Sequence, residues 1–175
     1  MEWPFSPRSY LGMDIFDAES DACPLPLPTQ APADDELALI LARSRTVAVV
    51  GASPRPSRTS HAIAVWLMEN TRYEVFLVNP MAGDADIEGH GFYATLRDVP
   101  VTPDIVVAFR RSEDIPPVAD AAIACDAAVL WMQLGIENEQ AAALARAAGL
   151  DVIQNRCIKV EYARLRNEID ALRVP

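Results

Sequence analysis

Cysteine is scarce in this chain, with Cys23, Cys125 and Cys157 the only three among 175 residues. They are an odd number and widely spaced, so neither a disulfide framework nor a zinc site follows, and a reducing cytoplasm is the expected setting. Histidine is scarcer still, with only His61 and His90. Basic charge is in deficit. The formal net charge is −10, which argues against a nucleic-acid partner, whose protein surface is basic. No run of ~20 apolar residues occurs, so no membrane span is expected. The start lacks a basic segment followed by an apolar one, so no signal peptide is expected either.

About half of the residues, 51%, are apolar, enough to build a proper core. The acidity is unevenly placed. Residues 1–36 hold Glu2, Asp14, Asp17, Glu19, Asp21, Asp34, Asp35 and Glu36 against Arg8 alone, which is −7 of the −10. The first 33 residues read as an acidic, proline-rich extension, because Pro4, Pro7, Pro24, Pro26, Pro28 and Pro32 oppose helix and central strand. Trp3, Phe5, Tyr10, Leu11, Ile15 and Phe16 are unusual in a solvated linker. They leave open an arm that packs on its own domain or on a second subunit, and so a homodimer.

Residues 34–175 read as one α/β domain. Asp34 or Asp35 caps a short helix to about Arg43. Thr46–Val50 is a continuous β-branched run, as in a strand buried on both faces. A helix over 59–70 follows, then a strand over 75–78. Residues 81–103 read as mostly irregular. A third strand over 105–109 leads to a helix opened by Pro116 or Pro117 and running to about Cys125. A fourth strand over 128–132, an alanine-rich helix over 137–148, a short strand at 152–153 and a helix over 160–172 complete the series. Alternating strands and helices predict a doubly wound, five-stranded parallel sheet of the Rossmann-like class. Its first and fourth strands are expected to flank the crevice where strand order reverses.

Ligands of such sheets sit at the carboxyl ends of the strands. The turn after the first strand contains Gly51, Ala52, Ser53, Arg55, Ser57, Arg58, Thr59 and Ser60. Its features suit an anion: glycine for close approach, hydroxyls, two guanidinium groups and the free amides of the next helix. It is not G-x-G-x-x-G, since positions 53 and 56 are Ser53 and Pro56, and no Gly-Lys-Ser/Thr of a phosphate loop is present. The second strand ends in Asn79-Pro80, without the acidic residue that would hold an NAD ribose. Arg110 and Arg111 end the third strand, with one expected to point inward. Trp131, Gln133 and Gly135 end the fourth. Trp131 reads equally as a pocket wall or a core aromatic. Gln133 is costly to bury unpaired.

Gly51-Ala52-Ser53-Pro54-x-Pro56, Val78-Asn79-Pro80, Gly89 with Tyr93 and Leu96, Phe109-Arg110, Trp131-x-Gln133-x-Gly135-Ile136 and Asn155-Arg156-Cys157 follow in order. Together they resemble the stand-alone coenzyme A-binding proteins, which are similar to the CoA-binding domain of the succinyl-CoA synthetase α subunit. The resemblance spans about residues 37–170. It implies a Rossmann-like fold that holds CoA or acyl-CoA along the strand ends. The Ser53–Ser57 turn would meet phosphate, Asn79-Pro80 would border adenosine, and the Phe109–Ser112 loop would close the other side. The ligase subunits often carry a lysine after the second strand's proline. Here that stretch is Met81-Ala82-Gly83-Asp84, so Arg55 or Arg58 would have to substitute.

No carboxylate pair, Ser-His-Asp set or Gly-x-Ser-x-Gly appears, which favours a binding module over a catalyst. Cys157, beside Arg156 and Lys159, reads either as a thiol able to form a mixed disulfide with CoA by exchange with oxidised CoA or as a structural thiol. The competing readings are a nucleotide-cofactor-dependent oxidoreductase and a protein-interaction module with a vestigial pocket.

Overall fold

A computed structural model describes residues 32–173. The extension expected over 1–33 therefore lies, but for Pro32 and Ala33, outside the described residues, as does Cys23. Helix α1 (Asp34–Arg43) leads into β1 (Thr46–Val50), α2 (Thr59–Asn70) and β2 (Glu74–Val78). Two short strands follow, β3 (Asp86–Ile87) and β4 (His90–Tyr93). Then come β5 (Ile105–Ala108), α3 (Pro116–Ala124), β6 (Val129–Met132), α4 (Glu139–Ala147) and β7 (Asp151–Ile153). The last two helices are α5 (Ile158–Arg164) and α6 (Arg166–Leu172).

The sheet has seven strands in the order β3-β4-β2-β1-β5-β6-β7, where the sequence reading expected five. Every neighbouring pair is parallel except β3 and β4, which form an antiparallel edge hairpin. The two extra strands come from residues expected to be irregular. They are short, and β4 joins the sheet only through Leu77 opposite Phe92 and Val78 opposite Tyr93. The final helix is also corrected: Leu165 interrupts it, so α5 and α6 are separate elements.

Alternation along the strands builds two cores. Val47 and Val49 of β1, Ile105 and Val107 of β5, and Val129 and Trp131 of β6 face the layer of α1, α2, α5 and α6. Ala48, Val50, Val106, Ala108, Leu130 and Met132 face α3 and α4. Both faces are covered, which is why the strand sequences are continuously apolar rather than alternating. Small residues on α3 and α4, among them Ala119, Ala122, Ala142 and Ala145, are fully buried and let those helices approach the sheet closely.

Strand order locates the crevice. Strand β1 pairs with β2 on one side and β5 on the other, so the reversal lies between β1 and β5. The sequence reading assigned the far wall to 128–132, which is β6 and does not touch β1. That slip follows directly from the uncounted strand β4: with it included, β5 is the fourth strand in the parallel series.

Candidate functional site

At the carboxyl end of β1 the chain must turn beneath β5. Gly51 adopts φ +83°, a conformation that strains any residue with a side chain. A Cβ there would stand 2.4 Å from the Phe109 carbonyl oxygen and 3.2 Å from Arg110 Nε. The loops leaving β1 and β5 are thus in backbone contact, and only glycine permits it. The Gly51 N–H donates to Val78 O at 2.8 Å and the Phe109 N–H to Val50 O at 2.8 Å, which fixes the ends of three adjacent strands.

The turn from Ser53 to Arg58 is held from within. The Arg55 N–H donates to Ser53 Oγ at 3.3 Å, and the Arg58 N–H donates to Arg55 O at 3.0 Å. His61, in the first turn of α2, places Nδ1 3.1 Å from the Ser53 carbonyl oxygen. A carbonyl only accepts, so the proton sits on Nδ1 and His61 pins the turn to the helix. On the other flank Asn79 donates from Nδ2 to Ala52 O at 2.7 Å and accepts from the Met81 N–H at 3.0 Å. Asn79 therefore ties the end of β2 to the end of β1.

Helix α2 starts without a side-chain cap. Among the described residues the amides of Thr59 and Ser60 have no carbonyl partner, so the positive end of the helix dipole faces the rim. A crevice of about 520 Å³ opens in front of it. Gly51, Ser53, Arg58, Thr59 and Ser60 form one wall; Phe109, Arg110, Arg111 and Ile136 form the other. Among the described residues neither Arg58 nor Arg110 makes an ion pair, and Arg111 reaches Glu113 only at 3.9 Å with both side chains exposed. Arg58 and Arg110 are thus cations without an ion-paired carboxylate, which suits a multivalent anion.

Beside it lies a second hollow of about 420 Å³. Val50, Val78, Pro80, Leu96, Val118 and Ala121 give it mostly apolar walls, with Thr95, Arg110 and Asp114 at its polar edge. Arg110 belongs to both spaces and stands between them.

The structure gathers six of the residues singled out from sequence, Gly51, Ser53, Arg58, Ser60, Arg110 and Arg111, around the first crevice. Pro80 belongs to the second. Ala52 is fully buried, and Arg55 and Ser57 are exposed and line neither space. Trp131 has no exposed surface and donates from Nε1 to Arg156 O at 2.7 Å, so it is a core aromatic. Gln133 is buried behind the rim. Gly135, at φ +80°, turns the loop after β6, where its N–H donates to Asn155 Oδ1 at 2.7 Å. The apolar hollow was largely missed. Its sequence signal is Thr95-x-x-Asp98, a capping box in which Thr95 and Asp98 bond reciprocally and seat Leu96 in the wall.

Neither cation expected beside Cys157 is directed at it. Arg156 lies 3.7 Å from Glu161, and the Lys159 ammonium sits over the Trp66 ring at 5.6 Å. Cys125 is part-buried, and desolvation holds its thiol above the ordinary range. Among the described residues no group of three or more His, Cys, Asp or Glu side chains is placed to hold a metal. No helix of the described residues is long and apolar enough to cross a membrane.

Known proteins share this fold. A family model described as a CoA-binding domain matches residues 45–163. The uncharacterized protein YneT of Bacillus subtilis (strain 168) is 41% identical over 134 residues, covering 77% of this chain and 97% of that protein. Among solved structures, a Thermus thermophilus protein superposes with a TM-score of 0.73 at 31% identity, covering 77% of this chain and 99% of the other. A hypothetical protein from Pyrococcus horikoshii OT3 gives 0.73 at 31% identity, covering 79% and 97%. The family match runs from the residue before β1 into α5 and so takes in both walls of the crevice, which places this chain in the CoA-binding domain family.

Proposed function

We propose that this chain binds coenzyme A or an acyl-CoA through the rim of β1, β2 and β5, as a binding module rather than a catalyst. The pyrophosphate occupies the crevice before α2, where it accepts from the Thr59 and Ser60 amides and pairs with Arg58 and Arg110. The adenosine lies in the apolar hollow beside Pro80, with Arg110 between base and phosphates. One observation carries the reading: an uncapped helix start and two unpaired arginines face one cleft at the reversal of strand order. An NAD-dependent reading is less well supported. The end of β2 offers Asn79, whose amide is already engaged with Ala52 O, in place of a ribose-binding carboxylate. His61 is occupied by Ser53 O and His90 is exposed on the edge hairpin, so neither is poised as a base in the crevice.

Calorimetry of the full chain tests this with CoA, dephospho-CoA and NAD in parallel. CoA is expected to bind and NAD to give no isotherm. Arg58→Ala and Arg110→Ala should each weaken CoA binding by about tenfold or more, the effect of losing a charge-assisted hydrogen bond worth ~1.5–3 kcal/mol. Arg55→Ala should change it little, because Arg55 lies outside the lining. Unchanged affinity in both Arg58→Ala and Arg110→Ala would remove the phosphate placement.

A further inference from the structure

Gln133 is 3% exposed, and its Nε2 is the one deeply buried side-chain nitrogen or oxygen among the described residues with no hydrogen-bond partner. An amide donor sealed away without an acceptor destabilises the protein that carries it. It therefore points to a group that is missing from the protein alone. The register says where. Val50 pairs with Ala108 and Ala108 with Met132, so one residue further along Gly51, Phe109 and Gln133 form a row across the rim. Val49, Val107 and Trp131 pack into the core beneath α2 and α5, and Phe109 packs against the same core. Alternation carries Gln133 to that side, two strands from Gly51.

Gln133 itself lies behind the crevice lining, but two residues near it belong to that lining. Phe109 stands beside it in the row, and Ile136 closes the turn that Gln133 opens, donating its N–H to Gln133 O at 2.9 Å. Both Phe109 and Ile136 line the crevice, and both are only partly buried. A ligand anchored at Gly51 and extending along the row reaches Gln133 after two strand spacings, roughly 10 Å. That places it past the phosphates, on the part of an acyl-CoA that carries amide and thioester carbonyls. A side-chain amide N–H selects a carbonyl oxygen, and displacing the Phe109 side chain, which packs on the same side of the sheet, uncovers it.

We infer that Gln133 forms a second subsite, which donates from Nε2 to a carbonyl oxygen on the pantetheine arm or acyl thioester of the ligand. This rests on the reading that the crevice holds the phosphates. In the unliganded protein the amide waits without a partner, so the subsite costs stability that ligand binding restores.

Gln133→Met keeps the shape and removes the donor. In the full chain it is compared with wild type by thermal melting and by calorimetry with two ligands, CoA and 3′-phosphoadenosine 5′-phosphate, which lacks the arm. The expected result has three parts. The unliganded variant melts higher than wild type. It binds CoA about five- to tenfold more weakly, as for one lost hydrogen bond. It binds the armless nucleotide within about twofold of wild type, since that ligand ends before the row reaches Gln133. A lower melting temperature would mean that Nε2 is already satisfied in solution by an internal water, and would overturn the inference. Unchanged CoA affinity, or equal weakening of both ligands, would overturn it as well while leaving the phosphate site standing. Failure of wild type to bind either ligand would instead remove the reading of the crevice, and the subsite with it.

Discussion

At Gly51 a single hydrogen atom in place of a side chain sets the distance between two loops. Any substitution meets two penalties, a left-handed φ and a backbone oxygen closer than van der Waals contact allows. Gly51→Ala should lower stability by about 1–3 kcal/mol, measured by denaturant unfolding, and should weaken CoA binding further because it pushes Phe109 and Arg110 away from β1. This residue was legible in the sequence, since a glycine closing a buried β-branched run has few other uses. Arg58 and Arg110 were legible for a similar reason: they are guanidinium groups at strand and helix ends on one rim. Trp131 was not. Its identity suits a pocket wall or a core equally well. The choice was made by strand alternation, which points it at α1, α2 and α5, and by the Arg156 carbonyl that satisfies its N–H. Arg55 and Ser57 share the composition of the turn but line neither space. Which residues of a turn reach the cleft is set by its three-dimensional path, and composition does not reveal it.

Elements that stood out from the sequence are those with strong periodicity or a long apolar run: β1, β2, β5, β6 and helices α1 to α4. Strand β4 did not, because it is four residues long, contains Gly91 and is half exposed. Its existence depends on the free edge of β2, which no local pattern announces. Helix α4 offers two tests at this scale. Asn138 caps it, accepting from the Ala141 N–H at 2.9 Å and donating from Nδ2 to Ser112 O at 2.8 Å, so it also anchors the loop after β5. Asn138→Ala should destabilise by about 1–2 kcal/mol in denaturant unfolding, and Asn138→Asp should lose less, because the cap survives. Glu139 begins the same helix. The Gln154 side-chain amide, and then the Arg146 guanidinium, hold its carboxyl below the ordinary range. A carboxylate depressed in the folded state stabilises above its unfolded value, and that contribution disappears as pH falls through the folded value. The melting temperature should therefore drop on acidification from about pH 5 to about pH 3, and Glu139→Gln should drop less. The effect is small, because Glu139 is exposed and water screens it.

Over the whole molecule, topology does what no single residue does: it brings the ends of β1, β2 and β5 together and leaves the start of α2 facing them. The doubly wound class was legible from the alternation of strands and helices alone. The position of the crevice was not, because it depends on counting every strand, and the weakest one was missed. Net charge adds a further expectation. The protein is acidic as a whole, so an anionic ligand is drawn by a local group of cations against the overall charge. Its affinity should fall steadily as salt rises, which titration at several ionic strengths would show. The central claim concerns where the phosphates lie, and a crystal structure of the full chain with CoA measures that directly. The account predicts the pyrophosphate oxygens within hydrogen-bond distance of the Thr59 and Ser60 amides and of the Arg58 and Arg110 guanidinium groups. Phosphates found elsewhere, with that crevice filled by protein side chains, would contradict it.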